Sequence, residues 1–297
     1  MVTTQFKRRI IEALVKAEKT SGLNGRQFST RIGINPAQWS RLKAGETDGI
    51  ITDGKYITLG REHGLTVGES EPWKTVETAT FQYITSLLST CHQECISSLL
   101  VDVSDLGKSY AAKHYCRNNQ NALYIDCSQV KSRQLLIREI ARQAGVTHTD
   151  KYNTVYRDLV YYLRSISKVI IILDEVGDLD YPAFLELKAL WNATEGAVSW
   201  IMMGADGLRR KIERAINGQK VGYTEIFRRF GSQYRRITPA STNDTSDFKL
   251  QQIGLVAKAN APAGTDIQKL VHSSRGSLTN LNNMIRVLNS TSTTNVA

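Results

Sequence analysis

The hydrophobic positions of the first ninety residues recur mainly at helical spacing. Residues 5–20 place five apolar side chains on one helical face: Phe6, Ile10, Ile11, Leu14 and Ala17. Residues 24–45 predict two short helices joined by a turn at Gly33. Residues 64–72, GLTVGESEP, are typical of a linker, and residues 73–94 predict a further helix.

Beyond residue 94 the pattern alternates between short apolar stretches and helical segments. The predicted strands cover residues 95–101, 122–128, 168–175, 197–205 and 232–239. The predicted helices cover residues 107–119, 133–145, 153–165, 181–194 and 207–216. Strands separated by helices imply βαβ units, so we expect an α/β fold with a parallel sheet. The uninterrupted run VIIIL is typical of a central strand that is buried on both faces.

The last part of the chain is more polar. Residues 240–248, ASTNDTSDF, predict a loop, and residues 255–290 predict small helices. We find no internal repeat. The Thr-, Ser- and Asn-rich tail is the one segment of biased composition.

Composition narrows the choice of partner and compartment. The chain of 297 residues has a formal net charge of +10, which makes nucleic acid the first candidate partner and an anionic membrane surface the second. The four cysteines form no C-x-x-C pair, so we expect free thiols rather than a zinc or redox site. The N-terminus lacks a secretory apolar region, and no apolar run is long enough to span a bilayer. We therefore expect a cytoplasmic protein with no membrane partner.

The stretch LLVDVSDLGKSYAAKHY, residues 99–115, raises the question of a phosphate-binding loop. Gly107-Lys108-Ser109 lies between a predicted strand and a predicted helix, as in a P-loop. Lys108 would reach the β- and γ-phosphates, and the hydroxyl of Ser109 would bind Mg²⁺. Backbone N–H groups at the helix N-terminus would surround the phosphates. The predicted nucleotide-binding residues of the loop are Ser104, Asp105, Leu106, Gly107, Lys108, Ser109 and Tyr110.

A second motif supports the first. The apolar strand KVIIILDE ends in Asp174-Glu175. Asp174 would hold Mg²⁺, and Glu175 would polarise the attacking water. One strand and its helices fit between Lys108 and Asp174. The two motifs together predict ATP and Mg²⁺ as cofactors.

Two departures weaken the motif. An extended P-loop would have glycine at positions 102 and 105, and this chain has Asp102 and Asp105. Carboxylates beside anionic phosphates disfavour binding. Asp tolerates the left-handed backbone better than most residues, so the loop can still turn. Binding with weak hydrolysis stays open, and so does a carboxylate that points away or helps to order Mg²⁺.

The order of these motifs resembles the AAA+ ATPases of DNA transposition, a MuB-like group that includes TnsC and IstB. The resemblance implies three domains: a helix-turn-helix DNA-binding domain at 1–66, an AAA+ P-loop ATPase core at 67–243, and a small helical lid at 244–297. It also implies a slow ATPase that forms a homo-oligomer or helical filament on double-stranded DNA. Such a protein would deliver target DNA to a transposase.

Further site residues follow from the resemblance. Asp206 follows the strand that ends in IMMG. This is the sensor 1 region, where a polar residue usually responds to the γ-phosphate. In EIFRRFGSQ, Arg228 or Arg229 would act as an arginine finger that one subunit supplies to its neighbour. Arg275 lies near a late glycine, but the sensor 2 role stays open.

The basic N-terminal segment predicts DNA contacts. Residues 1–66 hold eleven basic and six acidic residues, and residues 25–45 resemble the helix-turn-helix of phage repressors, whose second helix enters the major groove. The candidate residues are Arg26, Gln38, Ser40, Arg41 and Lys43. The alternative is a helical hairpin that contacts protein. By resemblance, Lys131 and Arg133 would form a second contact on the core, although an ordinary exposed helix start explains them equally well.

Two other functions compete with the transposition ATPase. One is a non-hydrolysing, repressor-like DNA-binding regulator on a degenerate ATPase scaffold. The other is an ATPase that loads a replicative helicase. DNA-stimulated ATP turnover would favour the transposition ATPase over the non-hydrolysing regulator. Binding of a helicase rather than a transposase would favour the helicase loader.

Overall fold

The fold rests on a five-stranded parallel sheet, seen in a computed structural model that describes residues 2–65 and 73–294. The strand order is β2-β3-β4-β1-β5. The strands are β1 Ser98–Val101, β2 Ala122–Asp126, β3 Val169–Asp174, β4 Val198–Gly204 and β5 Tyr234–Arg235. The helices are α1 Thr4–Ser21, α2 Gly25–Arg31, α3 Pro36–Lys43, α4 Asp53–Glu62, α5 Ala79–Glu94, α6 Lys108–Asn118, α7 Arg133–Gln143, α8 Tyr152–Ser165, α9 Tyr181–Ala193, α10 Asp206–Asn217, α11 Tyr223–Arg229, α12 Thr242–Asn260, α13 Ile267–Ser273 and α14 Leu278–Thr294. A 3-10 turn, Val176–Asp178, follows β3.

Strand β3, an inner strand of the sheet, is buried at all six positions. Its apolar, mostly β-branched side chains suit a strand covered on both faces. β3 pairs in parallel with β2 and β4, so that Asp174 lies beside Asp126 and Leu173 beside Met202. The carboxyl ends of the strands therefore meet at one edge of the sheet, the edge where open parallel sheets bind ligands.

Alternate residues of β3 enter two separate cores. Ile171 and Leu173 face the larger core, which α7, α8, α9, α10 and α11 complete. Ile170 and Ile172 face the smaller core, which α5 and α6 complete. The sheet is thus the middle layer of an α/β/α arrangement.

The N-terminal helices α1–α4 share a hydrophobic core of their own, which includes Leu14, Trp39, Leu42 and Tyr56. α1 packs against α6, and α2 packs against α7. The Nε of Arg31 in α2 donates to the Gln143 Oε1 of α7 over 3.3 Å. Within the N-terminal unit, α3 packs against α1 and α2.

The C-terminal helices α12–α14 form a further core, built from Ile253, Val256, Ala257, Leu270, Leu281 and Ile285. The extended segment before α5 is tied to it, because the backbone of Lys74 exchanges two hydrogen bonds with the Asn260 side chain, of 2.7 and 3.1 Å. This pairing holds Lys74 outside any helix.

Two predicted segments differ from the structure. The predicted helix 73–94 begins only at Ala79, because Thr78 caps the first turn by accepting from Phe81 N. The predicted loop 240–248 is wrong, since α12 begins at Thr242 behind the N-cap Ser241. In both places the helix begins directly after a Ser or Thr N-cap, and the polarity of the surrounding residues does not indicate that position.

The predicted domain boundaries stay predictions. The boundary at 243 and 244 would fall inside the first turn of α12. Most of the predicted linker 64–72 lies outside the described residues. A search of the helices in the described ranges finds none that could cross a membrane.

Candidate nucleotide-binding site

The loop between β1 and α6 leaves a helix N-terminus open to an anion. α6 begins at Lys108 behind Gly107, which has a left-handed φ of 84° and supplies no capping side chain. A glycine adopts this conformation without the strain that other residues meet. The first-turn N–H groups of α6 therefore lack a side-chain acceptor, and a phosphate can take that place.

Lys108 is buried and folds back over the loop. Its Nζ donates to the carbonyl oxygens of Asp102 and Val103, over 2.9 and 2.7 Å. Burial lowers the pKa of Lys108, and the carboxylates of four acidic residues oppose that shift: Asp102, Asp174, Glu175 and Asp206. The ammonium group is thus surrounded by carboxylates at the carboxyl edge of the sheet. Its two carbonyl bonds hold it where an anion on α6 would meet it.

A tyrosine that the sequence analysis missed joins the predicted magnesium ligands. The hydroxyl of Tyr124, on β2, donates to Asp174 Oδ2 over 2.7 Å. The nearby side chain of Ser109 acts to lower the pKa of the same hydroxyl. Burial and the Asp174 carboxylate raise the pKa of Tyr124, so the hydroxyl stays protonated. Asp174 is itself buried, and its Oδ1 accepts from Glu175 N over 3.0 Å. Asp174 therefore binds the Tyr124 hydroxyl, and Ser109 lies near it.

The oxygen atoms of this site suit Mg²⁺ with a nucleotide. Mg²⁺ is usually held by one or two carboxylates together with substrate phosphates and water, rather than by a full set of protein ligands. Ser109 and Asp174 supply such an incomplete set, next to the open N-terminus of α6. The described parts of the chain contain no group of three or more His, Cys, Asp or Glu side chains able to hold a metal.

Glu175 stands at the mouth of the site. It follows β3 directly and has a left-handed backbone, with φ 51° and ψ 42°. Such a conformation is uncommon for a residue other than glycine and is often found at functional sites. Desolvation and the neighbouring Asp174 raise the pKa of Glu175, while Lys108 partly offsets them. A carboxylate with a raised pKa is better suited to accept a proton near neutral pH.

Asp102, which replaces a P-loop glycine, points away from the phosphate position. Its Oδ2 accepts from the backbone N of Ile237 and Thr238, over 2.6 and 2.7 Å. Its Oδ1 accepts from Thr238 Oγ1 over 2.5 Å and from Val103 N over 2.8 Å. Burial opposes ionisation, but these hydrogen bonds outweigh it and lower the pKa of Asp102. Asp102 therefore anchors the segment that leads from β5 into α12.

Asp105, which replaces a second glycine, contacts the C-terminal helices. It has a φ of 62°, and its carboxylate accepts from Ser277 Oγ over 2.6 Å and from Thr279 Oγ1 over 2.9 Å. The backbone N of Thr279, in the first turn of α14, donates to it over 3.2 Å. The N-terminal dipole of α14 partly offsets the negative charge. A second contact joins the same parts, because Lys249 Nζ donates to Ser104 O over 3.3 Å.

The remaining loop residues take different positions. Leu106 is buried, whereas Ser104 and Tyr110 are exposed. The hydroxyl of Tyr110 lies 2.6 Å from Thr75 Oγ1. Asp206 is exposed in the first turn of α10 and contributes to the electrostatic field at Lys108.

The structure separates the two candidate finger arginines. The guanidinium of Arg229 lies over the ring of Trp191, 5.1 Å from its centroid. Arg228 is exposed at the end of α11. Arg228 is therefore the arginine that a neighbouring subunit could reach without loss of an internal contact.

Three of the five residues predicted to contact DNA on the N-terminal helices are bonded to other residues of the chain. Gln38 accepts from Asn35 N and donates to Ile50 O, so both ends of its amide are engaged. Arg41 donates twice to Glu46, over 2.9 and 2.7 Å. Lys43 pairs with Glu18 over 3.0 Å.

Arg26 and Ser40 are exposed. The predicted DNA-contact residues on the core, Lys131 and Arg133, are exposed too. Lys131 pairs with Asp178 over 3.5 Å. The guanidinium of Arg133 lies 5.2 Å from the centroid of the Tyr152 ring. A role of these residues in DNA binding stays a prediction.

Comparisons with known proteins support the fold around this site. Residues 92–212 match the family described as AAA domain. The chain also resembles the Orc1 protein of Aeropyrum pernix, whose structure was determined in complex with DNA, with a TM-score of 0.56 and 14% identity. The match covers 75% of this chain and 62% of that one, so the chain spans less than two thirds of the Orc1 protein. A search of curated proteins gives no match.

The chain therefore has an α/β fold with an AAA+ P-loop NTPase core, as the sequence predicts. The comparisons do not single out the transposition ATPases within this class.

Proposed function

We propose that the protein is an ATP-dependent DNA-binding ATPase that assembles on double-stranded DNA and delivers it to a transposase, with slow ATP hydrolysis. The observation that carries the proposal is that Lys108 and Ser109 begin α6 behind an uncapped N-terminus, where the carboxylates of Asp174 and Glu175 act on the Lys108 ammonium. The order of motifs along the chain, the net charge of +10 and the exposed positions of Arg26 and Ser40 support the DNA function.

Each residue of the site has a separate task in this proposal. The N–H groups of α6 and the ammonium of Lys108 bind the phosphates of ATP. Ser109 and Asp174 would hold Mg²⁺, which neutralises charge on the phosphates when it is bound. Glu175 orients the attacking water and accepts its proton. The Asp102 carboxylate does not repel the phosphates at close range, because it is hydrogen-bonded to the backbone of Ile237 and Thr238.

Assembly and hydrolysis are linked through Arg228. Its exposed position allows it to enter the site of a neighbouring copy, where it would stabilise charge on the transferred phosphoryl group. A site completed by a neighbour is active only in the oligomer. ATP would then favour a homo-oligomer or helical filament on DNA, and hydrolysis would favour its release.

A non-hydrolysing regulator is the second candidate, and Asp105 favours it. The bonds from Asp105 to Ser277 and Thr279 hold the C-terminal helices against the loop. If this contact persists with ATP bound, the loop would bind nucleotide without the rearrangement that hydrolysis needs.

The test is ATP turnover measured with and without double-stranded DNA. We expect slow turnover that DNA stimulates and that Glu175→Gln reduces by at least ~100-fold, because the variant retains the phosphate-binding groups but loses the proton acceptor. Glu195→Gln is the matched control, since Glu195 is exposed in the turn before β4. Absence of turnover in the wild-type protein, together with ATP-independent DNA binding, would favour the regulator.

The partner is tested separately. Immobilised protein, loaded with ATP and DNA, is offered the transposase and the replicative helicase of the source organism. Retention of the transposase supports the proposal. Retention of the helicase alone would assign the protein to helicase loading.

A further inference from the structure

A cationic face lies on α10, outside the nucleotide site. Arg210, Lys211 and Arg214 recur at helical spacing and, with Lys220 of the following turn, line a surface depression of about 510 Å³. The opposite side of α10 packs into the larger core through Leu208. The helix thus exposes Arg210 and Arg214 on the side away from the core.

The charges on this face are not neutralised by ion pairs. The ion pair on α10 joins Arg209 to Glu213, which lies beside this set. Across residues 2–65 and 73–294, no carboxylate lies within ion-pair distance of the four basic residues that line the depression: Arg210, Lys211, Arg214 and Lys220. Asp178 and Asp180 favour the charged form of Lys211, but the four cations still repel one another, and a bound anion would reduce that repulsion.

Two of the four cations are held in place. Lys211 Nζ donates to the carbonyl oxygens of Gly177 and Leu179, over 2.7 and 2.6 Å. Lys220 Nζ lies 4.0 Å from the centroid of the Tyr181 ring. Cations that are already ordered lose less entropy when an anion binds.

The face is continuous with a predicted DNA contact on the core. Lys131 pairs with Asp178 over 3.5 Å, and its carbonyl accepts from Asp180 N over 2.9 Å. Lys211 binds carbonyls of the same short segment. Lys131 and Lys211 therefore contact the same turn from two sides, and the turn itself carries the exposed Asp178 and Asp180.

We propose that this surface of α10 binds the phosphate backbone of double-stranded DNA without regard to sequence. The inference rests on the proposed function and adds a contact surface to it. A membrane fits less well, because helices that lie on membranes insert apolar residues, and here Leu208 and Ile212 are buried in the core. An acidic protein fits less well too, because protein interfaces concentrate their energy in buried aromatic and apolar anchors, whereas this depression is lined mainly by cations.

The test uses the double variant Arg210→Gln, Arg214→Gln in the full chain. Affinity for fluorescent duplexes of two unrelated sequences is measured by anisotropy over a series of salt concentrations with ATP. Each lost phosphate contact lowers the slope of log K against log salt by about 0.9, so we expect the slope to fall by about 1.8. At 0.1 M salt the same relation gives about 60-fold weaker binding to both duplexes.

The control is Arg157→Gln, Arg164→Gln, which removes the same charge from exposed positions of α8. It should retain nearly the wild-type slope. ATP turnover without DNA shows that each variant is folded, since neither pair touches the nucleotide site. Lys220→Gln gives a second, single-site measurement, for which we expect a slope change of about 0.9.

The possible failures are distinguishable. If the wild-type protein binds DNA with ATP and the α10 variant keeps its affinity and slope, the α10 surface is not a DNA contact, while the proposed function stands. If the wild-type protein binds neither duplex, the proposed function fails and this inference with it. If the variant loses binding to vesicles that contain phosphatidylserine but keeps DNA binding, the surface contacts membranes and the inference is wrong.

Discussion

The nucleotide site and the N-terminal helix pair differ in what their polar side chains already bind. At the nucleotide site, Lys108 and Asp174 are bonded within the chain, but the first-turn backbone N–H groups of α6 have no side-chain acceptor. On the helix pair, Gln38 and Arg41 are already bonded to other parts of the chain. Residue type therefore indicates what chemistry a region can perform, and unused hydrogen-bonding capacity indicates where an external ligand binds.

The replacement of Lys108 by Ala tests the nucleotide side of this comparison and should have the largest effect. The variant loses the buried cation at the phosphates, so ATP turnover should fall by at least ~100-fold, as when one preorganised charge-stabilising group is removed. Turnover is measured at saturating ATP. Lys258→Ala, at an exposed position of α12, is the control. Turnover within twofold of wild type would show that Lys108 does not contact the phosphates.

The replacement of Asp102 by Gly restores the glycine of the P-loop motif but should destabilise the fold. The N–H groups of Ile237 and Thr238 would lose their acceptor, which costs about 3 kcal/mol in the free energy of unfolding. Urea denaturation measures this change. An increase in stability would mean that Asp102 is strained rather than anchored.

Asp102 should also make stability depend on pH. Its folded-state pKa lies below the ordinary Asp value of about 3.9, so its contribution is fully present above that pH. The contribution is lost as the pH falls through the lower, folded-state pKa. The difference in unfolding free energy between wild type and Asp102→Asn should therefore shrink below about pH 4. An unchanged difference at low pH would contradict the assignment.

The replacement of Tyr124 by Phe tests whether the missed tyrosine orients the magnesium ligands. Loss of the bond to Asp174 leaves this carboxylate less fixed, and such outer contacts usually change metal affinity by 10–100-fold. We expect half-maximal ATP turnover to need about tenfold more Mg²⁺. An equal loss of turnover at all Mg²⁺ concentrations would point to a general structural role.

The smallest effect concerns the helix pair. Glu46→Gln would free Arg41, and DNA affinity should rise two- to threefold, because an exposed ion pair contributes only about 0–1 kcal/mol. Anisotropy at low salt measures this change. Lower affinity in the variant would show that Arg41 is not a DNA contact.

The sequence predicts most of the sheet because its strands are apolar runs bounded by turns. β3 in particular is recognisable from Val169 to Leu173. Caps were harder to predict, since Thr78 and Ser241 act through single hydrogen bonds that leave no periodic signal.

The site could be predicted in part. Lys108, Ser109 and Asp174 belong to motifs with fixed spacing. Tyr124 was missed because it looks like an ordinary strand residue. A possible signal was its hydroxyl, which stands in the strand ALYID two positions before the final Asp126. The partners of Asp102 and Asp105 lie 135 to 174 positions away, so their orientation could not be read from local sequence.

Electron microscopy of the protein with double-stranded DNA, with and without ATP, tests the central claim most directly. The claim is that ATP bound at Lys108 drives assembly on DNA through Arg228. We predict filaments or rings on DNA only with ATP, and their loss in Arg228→Ala but not in Arg164→Ala, an exposed arginine of α8. Particles that remain monomeric in every condition would contradict it.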